Sequence, residues 1–239
     1  MPSLTVLVDH IALMRESTRF PGPDPVSAAV VAELAGADGI GVYMREDRQH
    51  IQEQDLRLLR QTVRGRLIIH MAPISEMVGI ALDIKPERVI IVPELGEDGP
   101  PEDGLDLMMH GERIFETIDS LQSNGISVGV SISAEPEQAK MAHQIGAMWI
   151  QIHAGRLQTA TTPASQTQAL DNIIDTIKMA QKLRLRIAVG GGLDYRLIRL
   201  FKNLHEIDEF SLGQNLITRA VLKGMEPAIQ EMIGLIRTL

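Results

Sequence analysis

Several short stretches carry side chains able to hold, and to act on, a phosphorylated small molecule. Asp9-His10 sets a carboxyl beside an imidazole, and Tyr43, Arg45 and His50 add a phenol, a permanent cation and a second imidazole. His70, Gln151 and His153 follow further along. The runs VGGGL at 189–193 and LGQN at 212–215 then supply glycines, whose backbone N–H groups approach an anion without a Cβ in the way. Each feature also has a plainer reading. Asp9 can cap a helix, residues 45–48 can form a solvated salt-bridge cluster, His153 can be a core imidazole, and a glycine triplet can be a turn. Four histidines, at 10, 50, 70 and 153, lack the spacing of a metal motif, so no metal is expected.

These residues act together only if the fold brings them together. Short apolar runs at 4–8, 40–44, 66–71, 88–92, 127–132, 148–153, 186–189 and 209–212 read as buried parallel strands. Helical spacing fills the gaps at 24–36, 53–63, 75–84, 112–124, 135–145, 164–183, 195–203 and 215–223, and a further helix, 227–239, closes the chain. Asp24-Pro25 marks a helix start. The alternation predicts an α/β fold, a (β/α)8 TIM barrel with extra helices forming a single domain over 1–239, with a doubly wound open sheet as second topology. In such a barrel the strand ends form one face, and that is where all the polar residues above fall. The glycines at 190–192 and 213 then occupy the two loops where barrels commonly hold phosphate. An acidic loop at 93–106, rich in glycine and proline, reads as a mobile cover for the mouth. Trp149, beside Gln151 in sequence, is expected to report on that mouth by fluorescence.

Composition narrows the function. The chain has 239 residues, 44% of them hydrophobic, and a net charge of −8, which disfavours nucleic acid and anionic membranes as partners. It has no cysteine, so thiolate chemistry and disulfides are excluded. No run reaches the ~18 apolar residues of a membrane helix. The cytoplasm is the expected compartment, and no cofactor is expected.

The phrases VDHIALMR at 8–15, REDRQHI at 45–51, IQIHAG at 150–155 and LGQNLITRAV at 212–221 resemble the pyridoxine 5'-phosphate synthases of vitamin B6 biosynthesis. The resemblance runs collinearly along essentially the whole chain. It implies a barrel with extra helices for homo-oligomer contacts, assembled as an octamer. It also implies a transferase-class condensation of 1-deoxy-D-xylulose 5-phosphate with 3-amino-2-oxopropyl phosphate. Asp9, His10, Arg45 and His50 match positions that bind the deoxyxylulose phosphate, and Gly192, Gly213 and Gln214 fall in its phosphate-binding loops. Pro100 stands in place of a threonine and Leu7 in place of an asparagine. An arginine aligns with Thr18, where the adjacent Arg19 is a candidate substitute. At the acid/base positions this chain carries Tyr43, His70, Gln151, Gly191 and, after the strand-eight glycine, Gln214. Gln151 does not titrate, and Gly191 has no side chain. The expectation is a site that binds a sugar-phosphate ligand, with the family condensation called into question by the replaced acid/base residues and open only to unconventional ones. Two alternatives stand beside it: a non-catalytic partner assembled with an active synthase, and a diverged lyase or isomerase with His70 as base and Tyr43 as acid.

Overall fold

A computed structural model describes residues 1–17, 22–94 and 103–239. Eight strands, β1 (Ser3–Leu7), β2 (Gly39–Met44), β3 (Arg66–Met71), β4 (Arg88–Ile91), β5 (Ser127–Ile132), β6 (Trp149–His153), β7 (Arg186–Gly190) and β8 (Glu209–Leu212), close into a parallel barrel in sequence order. The surrounding helices are α1 (Asp9–Glu16), α2 (Pro25–Leu34), α3 (Glu53–Thr62), α4 (Ser75–Ile84), α5 (Leu107–Ser123), α6 (Pro136–Gln144), α7 (Gly155–Thr159), α8 (Pro163–Lys182), α9 (Gln214–Lys223) and α10 (Met225–Ile236). This is the predicted (β/α)8 barrel, and the open sheet is excluded by the pairing of β1 with β8.

Successive side chains of a strand point to opposite faces. The outward row, which includes Val6, Val42, Ile69, Val89, Val130, Ile150, Val189 and Phe210, joins the helices in one continuous apolar core. The inward row must fill the barrel itself. At the end where the strands begin it does so with charge. Arg88 donates to both carboxylate oxygens of Glu209 at 3.0 and 3.2 Å, and Arg66 lies 3.4 Å from the same carboxylate. The Arg88 guanidinium sits 3.5 Å from the centre of the Trp149 ring, with Arg186 at 4.8 Å. Gly129 makes room for this stack, since a Cβ there would stand 2.7 Å from the Trp149 Cβ and 2.8 Å from Ile90. Trp149 therefore belongs to the closed end of the barrel, one inward layer below Gln151. It reports on barrel integrity rather than on the mouth, which corrects the expectation from sequence.

Several other expectations are revised. Helix α1 follows β1 directly; its eight residues are held by burial of Ile11 and Ala12 and by Arg15, which clasps Asp55 of α3 with two hydrogen bonds of 2.8 Å. Helix α5 starts at Leu107, where Asp106 caps the Met108 amide, so it begins five residues before its sequence-based start. The segment at 195–203 is a short 3-10 turn over Leu197–Phe201. Asp24 caps α2 as expected, accepting from Val26 and Ser27. No described helix is long and apolar enough to cross a membrane.

Breaking one partner of a buried ion pair strands the other, at a cost of about 3–5 kcal/mol. Glu209→Gln is accordingly expected to lower unfolding stability by about that amount. Urea denaturation followed by Trp149 fluorescence measures it, and an unchanged midpoint would show the plug to be dispensable.

Candidate functional site

Above the plug the inward row changes character, and the strand ends surround a cavity of about 530 Å³. The candidate binding and acid/base residues that lie among the described residues all open onto it. Asp9, His10, Tyr43 and Leu7 form one wall; Arg45 and His50 stand at the rim; His70 and Gln151 form the floor; and Gly191, Gly192, Gly213 and Gln214 form the opposite wall. Thr18, Arg19 and Pro100, together with most of the acidic loop, lie outside the described residues.

Asp9 opens α1 but does not cap it. Its carboxylate reaches across to β2 and accepts the Tyr43 amide at 2.5 Å. Burial pushes its pKa up to about 6, against the pull of that hydrogen bond and of His50. The pKa of the His10 imidazole is lowered, first by burial and then by His50, and its buried Nδ1 has no hydrogen-bond partner among the described residues.

The β2–α3 loop is tied down on several sides. Arg45 grips Asp47 through Nε and Nη2 at 2.9 and 2.6 Å, which takes Asp47 down to about 2. Arg48 bonds Glu76 of α4 at 2.5 Å. The first of these contacts confirms ion pairing within residues 45–48, yet the Arg45 side chain is largely buried and opens onto the cavity. Glu16 accepts from the His50 amide at 2.6 Å and lies 2.7 Å from its Nδ1. Arg15 also donates to the His50 carbonyl at 2.8 Å.

The floor is buried and polar. His70 and Gln151 are each 5% exposed. The Nε2 of His70 and the Oγ of Ser211 are closed off from solvent and have no hydrogen-bond partner among the described residues. His70 is adjacent in register to Tyr43 on β2, and Ser131 pairs with Gln151 on β6. Burial, reinforced by Arg88, takes His70 down to about 4; burial, reinforced by Glu46, takes Tyr43 up to about 12. Both side chains are thus uncharged near neutrality.

On the far wall, Asn215 ties the two glycine loops together by donating to the Leu193 carbonyl at 3.0 Å. Helix α9 starts immediately after Gly213, and its first amides have no intrahelical acceptor. His153 also lines the cavity rather than the core, and its Nδ1 accepts the Gly155 amide at 3.2 Å. Sequence reasoning missed Ser131, Gln158, Ser211 and Asn215. The two serines had a usable signal: each lies two residues beyond an inward-facing strand residue, Gly129 or Glu209, and so shares its face. Among the described residues no group of three or more His, Asp or Glu is placed to hold a metal ion.

The two displaced pKa values act on stability in opposite directions. Asp9 titrates near 6 when folded and near 3.8 when unfolded, so the folded chain holds the extra proton between those values and loses stability as pH rises through them. His70 titrates near 4 when folded and near 6.5 when unfolded, so stability rises over almost the same range. Each effect is worth on the order of 3 kcal/mol. Asp9→Asn is expected to gain stability relative to wild type from pH 4 to 6, and His70→Gln to lose it. Urea titrations at several pH values check this, and parallel pH profiles for all three proteins would contradict it.

Comparison with known proteins agrees with this architecture. The family model described as pyridoxal phosphate biosynthesis protein PdxJ matches residues 4–238. The chain is 43% identical to the pyridoxine 5'-phosphate synthase of Desulforapulum autotrophicum, over 100% of both chains. It is 45% identical to that of a Cyanothece species, over 97% of both. Among solved structures, KGPDC of Streptococcus mutans superposes with a TM-score of 0.64 over 99% of this chain and 98% of the other, at 14% identity, a likeness of fold alone. With matches of this length and identity, the chain belongs to the PdxJ family of pyridoxal phosphate biosynthesis proteins.

Proposed function

We propose that this chain is a sugar-phosphate-binding member of its family whose site holds the sugar body of the ligand through uncharged hydrogen-bonding groups and no longer carries out the family condensation. The observation that carries this reading is the cavity floor. His70 near 4 and Tyr43 near 12 are each far from neutral pH, whereas efficient acid/base groups titrate near the working pH. Gln151 does not titrate at all. Positioned proton transfer is typically worth on the order of 10²–10⁴ in rate per group, and a ring-closing condensation needs several such steps.

Binding is a different matter. His70, Ser131, Gln151 and Ser211 line one cavity and bring hydrogen-bonding groups to where the hydroxyls of a sugar would lie. Arg45, His50 and the amides at the start of α9 favour a phosphate at the rim and far wall. The relatives' shared name, pyridoxine 5'-phosphate synthase, supports 1-deoxy-D-xylulose 5-phosphate as the probe.

One observation favours a second reading. Asp9, pushed up to about 6, lies nearer neutral pH than His70 or Tyr43, so a lyase or isomerase reaction in this site would use Asp9 as its base, with His70 and Tyr43 as neutral donors. A homo-oligomer, or a mixed assembly with an active synthase, is supported by apolar side chains left bare on the outer helices. Leu34 of α2 and Leu222 of α9 are 83% and 84% exposed.

Calorimetric titration with 1-deoxy-D-xylulose 5-phosphate is expected to show binding that weakens about tenfold in Arg45→Ala, as befits one charged hydrogen bond. No pyridoxine 5'-phosphate should form above the buffer rate when both substrates are supplied. Sustained product formation would refute the loss of the condensation, and absence of binding would refute the ligand.

A further inference from the structure

One carboxylate holds His50 in two ways at once. Glu16, the last residue of α1, accepts the His50 backbone amide at 2.6 Å with one oxygen and faces its Nδ1 at 2.7 Å with the other. His50 is left-handed, with φ at 70°, a conformation uncommon for any residue but glycine. Arg15 supplies the rest of the clamp. It donates to the His50 carbonyl at 2.8 Å and to both carboxylate oxygens of Asp55 near the start of α3. The end of α1 thus fixes both the backbone and the ring of His50.

The same contact fixes a proton. Burial pulls the Glu16 carboxyl upward, but the hydrogen bonds from the His50 ring and amide prevail and hold it below the usual carboxylate range. It is therefore ionised near neutrality and can only accept, so Nδ1 is the donor. Nε2, on the opposite edge of the ring, is turned away from Glu16, and His50 opens onto the cavity. With Nδ1 already protonated, the ring offers an N–H to an anion only as the imidazolium, a form that an ionised carboxylate on the far edge favours. Asp9 and Asp47 add negative charge around the ring, while His10 and Arg15 oppose them. A Cβ on Gly213 would lie 3.7 Å from His10 Nδ1, so the rim at His50 and the start of α9 meet at one end of the cavity. We infer that Glu16 is a positioning residue for ligand binding: it turns the His50 ring so that Nε2–H donates to a phosphate oxygen of the ligand, and it supplies the countercharge. The inference rests on the sugar-phosphate reading proposed above and adds to it the residue that stands behind one phosphate contact.

The test uses the full chain with 1-deoxy-D-xylulose 5-phosphate as probe. Calorimetry gives the affinity, and long-range 15N–1H spectra of the histidine side chains locate the protons on His50. The wild type is expected to carry a proton on His50 Nδ1 throughout, and on both ring nitrogens at saturation. His50→Ala should weaken binding about ten- to a hundredfold, the range for a charged hydrogen bond. Glu16→Gln keeps an oxygen for the His50 amide but turns its NH2 group to Nδ1. It should leave His50 neutral with its proton on Nε2 and weaken binding about tenfold, the step from a charged to a neutral hydrogen bond. The double variant should bind no worse than His50→Ala alone, because Glu16 acts through the ring. Thermal unfolding of each variant separates these effects from misfolding. Wild-type-like affinity in Glu16→Gln, a ligand-bound His50 that stays neutral, or losses that add in the double variant would overturn the inference while leaving the ligand intact. Absence of binding by the wild type would remove the ligand reading and the inference together.

Discussion

Closure of eight parallel strands into one barrel is the constraint from which the rest follows. Closure sends every second residue inward, so the interior is filled by eight short columns whose register the backbone hydrogen bonds fix. At the closed end those columns hold Arg88, Glu209 and Trp149, a charged stack that tolerates burial because each charge has a partner. Two residues further along each strand the same columns present Gln151, Ser211, His70 and Ser131. The plug and the cavity are thus successive layers of one interior, and the polar mouth is polar because its side chains are the next inward ones.

The chemistry of the mouth is set by depth. Burial favours the uncharged form of any group, and here it acts on an acid, a base and a phenol at once, keeping Asp9 protonated to higher pH, His70 neutral to lower pH, and Tyr43 protonated throughout the physiological range. Fixed charge is confined to the rim, where Asp47 and Glu16 hold the side chains of Arg45 and His50. A ligand with a charged end and a hydroxylated body matches that gradient. Of Asp9, His70 and Tyr43, Asp9 alone is moved towards neutral pH.

Much of this was legible in the sequence. The eight apolar runs locate the strands to within a residue or two because each strand is largely buried on both faces and so reads as a short, mostly apolar run. The strand-end rule gathers Asp9, His10, Tyr43, Arg45, His50, His70, Gln151 and the glycines onto one face, and the structure places them around one cavity. Helix α1 was not legible because it is short and charged, and is held by a contact from Arg15 to Asp55 across forty positions of sequence. The start of α5 was obscured because Met108 and Met109 are exposed there and break the amphipathic pattern. The site of Trp149 was misjudged because nearness along a strand is not nearness to the mouth: a residue two positions earlier is a layer deeper. The pairing of Glu16 with His50 had no sequence signal, since it joins a helix end to a loop residue thirty-four positions away.

The central claim is that this mouth holds a sugar phosphate, its sugar body hydrogen-bonded by neutral groups. A crystal structure of the chain soaked with 1-deoxy-D-xylulose 5-phosphate tests it most directly. The account predicts the phosphate at the β7–β8 wall against the first amides of α9, with the sugar body in the cavity against Gln151, His70 and Ser211. A fully occupied ligand lying outside the cavity, or a soaked crystal whose floor holds only water, would contradict it.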